Sequence, residues 1–548
     1  MENQDELTAH YEPLLQGNYD CVDRLILNGY CSLLHNPGGL RYWYRLLHGE
    51  DDTLSTNRLM RYAGRFSKRV QAYCKKEQIP FEYCERGERK HEKAEALIPQ
   101  QKNFTGIFAV FVSRSVAQLW EVKRFSNGLD IRKRKTLSFV NHYHFHIMDK
   151  DWGHITIKMC AHPPFNCQIM LNGHEWLARH PKVKKAEVTK EGNCFVDYQL
   201  SDELTRHAET IKRKGRLAKL CDRWIYKCLW FGLDYLEQQQ TALRYEYSIY
   251  QIEYSRNLLF KRGRFLDQTY QGIIQLTRPK LDIPVLRTMF GARTRPYHHI
   301  GNKEKANRSS ALEVRVQTPD YNLTVFKIHF GQLSVKLYDK GERTLRAEVV
   351  VHNVKKLKCK RSISNFKEIV GKLQTIMNDF MNNLFYLHHA LIDQIDLTTL
   401  GQREVIGKQQ MAGLHLSDQR TVDVMHSLLA LSIQPCGYAA RDLSQRMQQI
   451  GWEKYSPRMA AYDIKKLRAK DFITKASARK YRNTPVGIQN MNALLTLTQQ
   501  HIPHTLAVIK NNSSQNAKEL SSLEQHYFNI KKEIVALNEI YGIKFKAA

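Results

Sequence analysis

A long apolar run is the first feature that this sequence of 548 residues lacks. No segment reaches the about twenty consecutive apolar residues that a membrane-spanning helix needs, so the sequence predicts no transmembrane helix. The N-terminus is acidic and polar, whereas a secretory signal peptide begins basic and continues apolar. We therefore expect a cytoplasmic protein with no membrane partner.

Paired cysteines are missing as well. The 11 cysteines are odd in number and scattered, and no two of them form a CxxC pair. Neither a disulfide framework nor a zinc ribbon is indicated. Cys160, His162 and Cys167 lie close in sequence and could bind a metal, but their spacing matches no structural zinc pattern. Reduced, buried thiols are the simpler interpretation.

Acidic residues are scarce relative to basic ones. The chain carries 84 Lys and Arg against 54 Asp and Glu, a formal net charge of +30. Because Lys and Arg that neutralise phosphates release counterions, this excess favours a nucleic-acid partner over a lipid surface. Two basic runs, 212–219 and 354–361, keep a structured RNA open as an alternative partner.

What the sequence does contain is alternating strand and helix periodicity, which predicts a multidomain α+β protein. Its length exceeds the roughly 100–200 residues of an ordinary domain. The expected units are a mainly helical region at 1–98, a mixed strand and helix basic domain at 99–275, an antiparallel-strand domain with a long amphipathic helix at 276–397, a linker at 398–420, a winged helix at 421–500 and an amphipathic or coiled-coil helix at 515–545.

The tail places apolar residues at alternating steps of three and four from Leu520 to Tyr541. Three heptads of this kind can form a coiled coil, which predicts a homo-oligomer through the C-terminal helix. The alternative is a terminal helix docked on its own chain.

Residues 456–487 combine an apolar stripe at helical spacing with basic positions, followed by a basic segment. This pattern is typical of a recognition helix and its wing, and such a helix fits a DNA groove. The candidate nucleic-acid-binding residues are Arg458, Lys465, Lys466 and Arg468 on the helix and Arg479, Lys480 and Arg482 at the wing. DNA is therefore the expected partner ahead of RNA, although winged helices also bind RNA and proteins.

A tyrosine and a glutamate are predicted to meet on two neighbouring strands. The segments 336–340 and 345–348 are typical of an antiparallel pair that brings Tyr338 close to Glu348. They resemble the tyrosine–aspartate–lysine and arginine-x-glutamate signature of rolling-circle replication initiators of filamentous phages and some plasmids.

That resemblance implies catalysis. It implies that Tyr338 attacks a DNA phosphate, with Asp339 as the aspartate of the signature. It also implies that Glu348 and Asp23 hold a divalent ion, Mg²⁺ or Mn²⁺. The alternative is a hairpin whose polar side chains only form stabilising cross-strand pairs.

Three histidines alternate along a predicted strand. His142, His144 and His146 would share one face, since strand residues two apart point the same way. Neutral imidazoles suit transition-metal ions, so these residues form a candidate metal site, with His154 approaching from the partner strand. The alternative is a histidine-rich strand that meets phosphate or packs on aromatic rings.

Over most of its length the chain resembles a family of uncharacterised bacterial proteins that end in a winged helix. The resemblance is carried by residues 23–30, 140–143, 171–176, 338–340 with 345–348, and the winged-helix end. The resemblance implies no established activity. The location expected from the N-terminus and from the lack of a membrane span is cytoplasmic, on the bacterial nucleoid. Within 171–176, His174 and Glu175 could act as acid and base, whereas Asn172 and Gly173 favour a turn and a helix start.

These patterns predict a DNA-binding protein of a mobile or replicating genetic element, with metal-dependent strand nicking at replication initiation as the candidate activity. Whether the chain is an enzyme is left open by the sequence. The two alternatives are a non-enzymatic winged-helix transcription regulator and an RNA-binding protein.

Overall fold

The computed structural model describes residues 5–270, 312–317, 325–330, 333–388 and 400–498, apart from short gaps at 86, 102, 127, 186–187, 200, 214, 341, 358, 407–408 and 435–436, and it describes scattered positions between 522 and 536. It contains two compact units. The larger unit comprises residues 11–270 and 315–377, and the other comprises 1–10, 271–314 and 378–548. No described helix is long and apolar enough to cross a membrane.

The described elements confirm the predicted α+β class. The helices are α1 Glu6–Tyr11, α2 Pro37–His48, α3 Thr56–Lys76, α4 Lys90–Glu95, α5 Gly173–Ala178, α6 Pro181–Lys185, α7 Ser201–Glu209, α8 Arg216–Leu229, α9 Tyr235–Gln240, α10 Phe366–His388, α11 Gln419–Ser432, α12 Ala440–Gln449, α13 Pro457–Ala469 and α14 Pro485–Thr496.

Strands occur in both units, and those of the larger unit form its framework. They are β1 Leu15–Tyr30, β2 Phe81–Tyr83, β3 Gly106–Ala117, β4 Trp120–Phe125, β5 Gly128–Lys133, β6 Ser138–Asp149, β7 Gly153–Cys160, β8 Cys167–Asn172, β9 Thr189–Glu191, β10 Cys194–Asp197, β11 Glu246–Phe260, β12 Leu312–Gln317, β13 Val325–Phe330, β14 Leu333–Lys340, β15 Thr344–Val351, β16 Glu404–Ile406, β17 Gln409–Met411, β18 Ile473–Ser477 and β19 Lys480–Asn483.

Eleven of the described strands form one sheet, in the order β12-β13-β14-β15-β11-β1-β8-β7-β6-β3-β2. The long strands β1 and β11 pair antiparallel at its centre, and β2 joins β3 in parallel at one edge. These strands come from all three of the predicted ranges 1–98, 99–275 and 276–397. The boundaries expected at 98 and 275 therefore fall inside a single sheet, because strands distant in sequence pair with one another.

One face of this sheet is apolar and packs on helices. On β6, Tyr143 and Phe145 are fully buried against Phe66 of α3, with ring centroids 4.9 and 6.2 Å apart. Phe66 belongs to a stripe of buried residues at helical spacing along α3. Phe231, which follows the end of α8, stacks on Phe145 with the two ring centroids 5.4 Å apart. Burial of this face supplies the main driving force for folding.

The other face carries polar side chains across most of the sheet, and we call it the polar face. Register alternation places His144 of β6, Lys158 of β7, Gln168 of β8 and Asn28 of β1 in one row. A second set on the same face is Ser255 of β11, Glu348 of β15 and Lys336 of β14. The register of β1 shifts between residues 22 and 25. Because of this shift, Cys21 before it and Asn28 after it both point to the polar face.

The smaller unit has the predicted order of elements near its C-terminal end. Helices α11, α12 and α13 are followed by the hairpin β18–β19 and by α14. Tyr438 forms an isolated bridge with Tyr481 of the hairpin. The predicted linker contains the small hairpin β16–β17. The predicted helix at 515–545 lies largely outside the described residues.

Candidate active site

Two acidic residues that are distant in sequence meet on the polar face. Asp23 lies on β1 and Glu348 lies on β15, with β11 between these two strands. Ser255 of β11 faces Cys21 of β1 on one side and Glu348 on the other. The Ser255 hydroxyl donates to Asp23 Oδ1 at 3.0 Å. Glu348 and Asp23, the two acidic residues that the resemblance named, therefore lie on the same face of the sheet, on either side of β11.

A buried arginine joins the two carboxylates. Arg346, which is 0% exposed, donates from Nε to Glu348 Oε1 at 2.9 Å and from Nη2 to Asp23 Oδ2. Its Nη1 donates to the backbone oxygen of Asn193 and to Asn257 Oδ1, both at 2.8 Å. Because a buried guanidinium must satisfy several donors at once, this network fixes the position of both carboxylates.

Tyr338 lies beside this network as predicted. Its hydroxyl donates to Glu348 Oε1 at 2.6 Å, and Lys336 Nζ donates to Glu348 Oε2 at 2.8 Å. Lys336 and Tyr338 are both partly exposed, whereas Glu348 is buried. The arrangement places a phenol that solvent can reach directly on a buried carboxylate.

The protonation states follow from burial and from neighbouring charges. Burial raises the pKa of Tyr338 well above its usual range, and Arg346 offsets only part of that effect. Burial alone would also raise the pKa of Glu348, but the charges of Arg346 and Lys336 outweigh it and lower this pKa. At neutral pH a protonated phenol therefore donates to an ionised carboxylate.

Helix α5 starts against β1 and adds a histidine to the site. Asn172 Oδ1 accepts from the backbone N–H of His174 at 2.9 Å and of Glu175 at 3.3 Å, which confirms the predicted turn and helix start. A Cβ on Gly173 would lie 1.8 Å from the backbone oxygen of Val22, so only glycine permits this close approach.

The His174 ring, 0% exposed, contacts two residues of β1. Its Nδ1 lies 2.7 Å from Asp23 Oδ1, and its Nε2 lies 3.0 Å from Tyr19 Oη. Burial lowers the pKa of His174, although Asp23 opposes that effect, so the ring is neutral at pH 7. Glu175 pairs with Lys190 at 2.5 Å and does not join His174 as an acid–base partner.

One group of potential metal ligands occurs among the described residues. Cys21 Sγ, an Asp23 oxygen and a His174 nitrogen lie within 4.8 Å of one another. Sulfur and imidazole donors suit zinc-like transition metals, whereas Mg²⁺ and Mn²⁺ prefer oxygen ligands. Asp23 and Glu348 are moreover already paired with Arg346, and Glu348 is also paired with Lys336. The residues present therefore do not fit the predicted Mg²⁺ or Mn²⁺.

The three alternating histidines share the polar face but do not meet at one point. His144 Nε2 lies 2.9 Å from Ser113 Oγ, and His146 Nδ1 lies 3.0 Å from His154 Nε2. Strand residues two apart are separated by about 6.6 Å, whereas metal–nitrogen bonds are about 2 Å long. Among the described residues, no group of three ligands includes His142, His144 or His146. The structure thus corrects the predicted three-histidine metal site.

Asp339 also lies away from the site. It follows Tyr338 on β14, and consecutive strand residues point to opposite faces of a sheet. Burial raises the pKa of Asp339, and Asp267 adds to the effect. Its predicted catalytic role is not supported, because Glu348 and not Asp339 contacts the tyrosine.

Buried histidines on the polar face make stability depend on pH. Burial lowers the pKa of His146 to about 3, below the value of about 6.5 in an unfolded chain. Between these values the unfolded chain binds a proton that the folded chain does not, so stability is lost as pH falls below about 6.5. We expect His146→Gln to reduce this loss by up to about 1.4 kcal/mol per pH unit, measured by urea unfolding between pH 7 and pH 5. The control is His415→Gln, an exposed change that should leave the pH dependence of the free energy of unfolding unchanged. The same pH dependence in His146→Gln as in the unmodified chain would contradict the assignment.

The basic side chains of the predicted helix and wing differ from one another in exposure. Helix α13 starts at Ser456, whose hydroxyl accepts from the backbone N–H of Met459 at 3.3 Å. The exposed residues of the predicted set are Arg458 on the helix and Arg479 on the hairpin.

Other residues of that set are engaged within the smaller unit. Lys480 pairs with Asp442 at 3.1 Å, and Arg482 pairs with Asp379 at 2.9 Å. Lys465 donates to Gln409 of the small hairpin. Lys466 and Arg468 are partly buried.

No known family model, curated protein or solved structure matches this chain. What it can do follows from its own residues. The sequence did not indicate the roles of Ser255, Asn257, Tyr19 or Cys21. Ser255 and Asn257 alternate as small polar residues on a long strand, which is a signal in the sequence. Only the pairing of β1 with β11 shows that Tyr19 and Cys21 face the same site as these two residues.

Proposed function

We propose that this chain cleaves and rejoins strands of nucleic acid, DNA first, by nucleophilic attack of Tyr338 on a phosphodiester. The observation that carries the proposal is the 2.6 Å hydrogen bond from Tyr338 to Glu348, inside a network that Arg346 holds together. A purely stabilising cross-strand pair would not require a second carboxylate, Asp23, to be brought to the same arginine from β1.

The transfer step uses groups that are already in place. The phenol oxygen of Tyr338 attacks phosphorus, so that a phosphotyrosine bond forms while the bond to the leaving sugar oxygen breaks. The phenol proton passes to Glu348, and the leaving oxygen takes a proton from water. Attack by a free sugar hydroxyl on the phosphotyrosine reverses the step and rejoins the strand.

Lys336 is the cation placed to meet the phosphate. Its side chain is 28% exposed and its Nζ lies 2.8 Å from Glu348 Oε2, next to the tyrosine. A lysine at this point can stabilise the negative charge that the phosphate oxygens gain during transfer. Arg346 is fully buried and is a positioning residue, because its donors are directed at protein acceptors.

A strand-nicking assay tests this proposal. Full-length protein is incubated with supercoiled plasmid in magnesium, in manganese and in chelator, and nicked circles are measured. We expect nicked circles that carry covalently bound protein. Intact plasmid under all three conditions would contradict the proposed activity, and the metal-free arm decides whether the predicted Mg²⁺ or Mn²⁺ is needed.

The exposed arginines of the smaller unit support a targeting role on DNA. We expect Arg458→Ala and Arg479→Ala each to weaken DNA binding and to lower the slope of log affinity against log salt by about one, since each loses one phosphate contact. Fluorescence anisotropy at several salt concentrations measures this. Lys75→Ala, an exposed change on α3, should alter neither quantity. Equal effects of all three variants would contradict a specific surface.

A non-enzymatic DNA-binding regulator is the second candidate. The exposed Arg458 on a helix and Arg479 on a hairpin favour this candidate. A winged helix that presents these two side chains could bind DNA without any cleavage chemistry. It predicts a footprint that these substitutions erase, without strand scission. Location on the nucleoid and oligomerisation through the C-terminal helix belong to both candidates.

A further inference from the structure

A cavity of about 440 Å³ opens on the polar face, away from Tyr338. It is bordered by the ends of β1, β7 and β8 and by the start of β11, all within the larger unit. Small-molecule and cofactor sites are cavities of about 300–1,000 Å³. The cavity is therefore large enough for one nucleotide unit.

The charge of its lining is one-sided. Lys158 of β7 and Arg361 are the lysine and the arginine of the lining, and no aspartate or glutamate lines it. Within the part of the chain that the structure describes, neither cation has an ion-pair partner. Two cations without a carboxylate in the same lining favour an anion, and a phosphate group is an anion that lysine and arginine both bind.

The rest of the lining suits a base. Tyr30 and His35 meet edge to face with ring centroids 5.7 Å apart, and they offer aromatic surface for stacking. Gln168 donates to Asn28 Oδ1 at 3.1 Å, and these two amides with Gln118 supply further donors and acceptors at the wall. Rings and amides beside a phosphate site are the combination that an unstacked nucleotide needs.

We infer that this cavity binds one nucleotide of a single strand, with its phosphate on Lys158 and Arg361 and its base against Tyr30 and His35. The inference rests on the proposed function in taking nucleic acid as the ligand. The cavity borders β11 at Ser248, and the Tyr338 network meets the same strand at Ser255, seven residues further along, or roughly 20 Å at about 3.3 Å per residue. A strand that reaches both must span several nucleotides, so the cavity is a holding site and not part of the reacting centre.

Calorimetric titration of the full chain tests the inference with three probes: thymidine 5′-phosphate, thymidine and inorganic phosphate. We expect the nucleotide to bind at least tenfold more tightly than either fragment. Lys158→Met and Arg361→Gln should each weaken it about tenfold or more, whereas the surface variant Lys75→Met should not. Arg361 is partly exposed, so its substitution tests the site even if Lys158→Met fails to fold.

The outcomes separate the cavity from the reaction. Equal affinity for inorganic phosphate and for the nucleotide would overturn the nucleotide assignment, and unchanged affinity in both cation variants would overturn the site. Tyr338→Phe should bind the mononucleotide like the unmodified chain. Nucleotide binding in a chain that nicks no DNA would therefore support the cavity while contradicting only the proposed activity.

Discussion

Tyr338→Phe is expected to lower strand cleavage by about a thousandfold or more while DNA binding remains. The substitution removes only the attacking oxygen, and loss of a nucleophile has an effect of this size or greater. The measurement is the rate of nicked-circle formation, with affinity for the same DNA determined in parallel. The lost hydrogen bond to Glu348 lowers the free energy of unfolding by only about 1–2 kcal/mol, so the variant should stay folded.

Tyr250→Phe provides the matched control, because Tyr250 is an exposed tyrosine on β11 of the same sheet. It should cleave like the unmodified chain. Cleavage that survives Tyr338→Phe would remove this tyrosine as the nucleophile, and equal losses in the two variants would point to a general effect of tyrosine removal.

Arg346→Ala is expected to lower the free energy of unfolding by about 3–5 kcal/mol, because Asp23 and Glu348 would remain buried without their shared cation. Chemical denaturation at neutral pH measures this change. The comparison variant is Arg343→Ala. Arg343 lies three positions earlier in a partly exposed pair with Asp197, and its loss should change stability by about 1 kcal/mol or less.

A double substitution separates charge from packing. Adding Asp23→Asn to Arg346→Ala removes one of the two stranded carboxylates, and it should recover part of the lost stability. A purely additive loss would contradict the account in which Arg346 compensates both acids. The same double variant should cleave no DNA, since Glu348 would no longer be held against Tyr338.

The local elements of the site could be predicted from sequence because they depend on neighbours in the chain. The segments around Tyr338 and Glu348 alternate as strands and are joined by a short turn, so their meeting follows from register alone. The start of α5 at Asn172 followed in the same way from the capping preference of asparagine.

The composition of the site could not be predicted in full, because it depends on pairings between distant strands. Arg346 reaches Asp23 only because β11 inserts between β15 and β1, and no periodicity within either segment specifies that order. For the histidine strand β6, the local prediction was right but the metal site inferred from it was wrong. A shared face was predicted correctly for His142 and His146, but sharing a face does not bring side chains several ångströms apart onto one ion.

The most direct measurement of the central claim is peptide mass spectrometry of the full chain after incubation with a single-stranded oligonucleotide and nuclease trimming. The account predicts a nucleotide phosphate covalently attached to Tyr338, present in the unmodified chain and missing from Tyr338→Phe. Strand cleavage without any adduct, or an adduct on another residue, would contradict it.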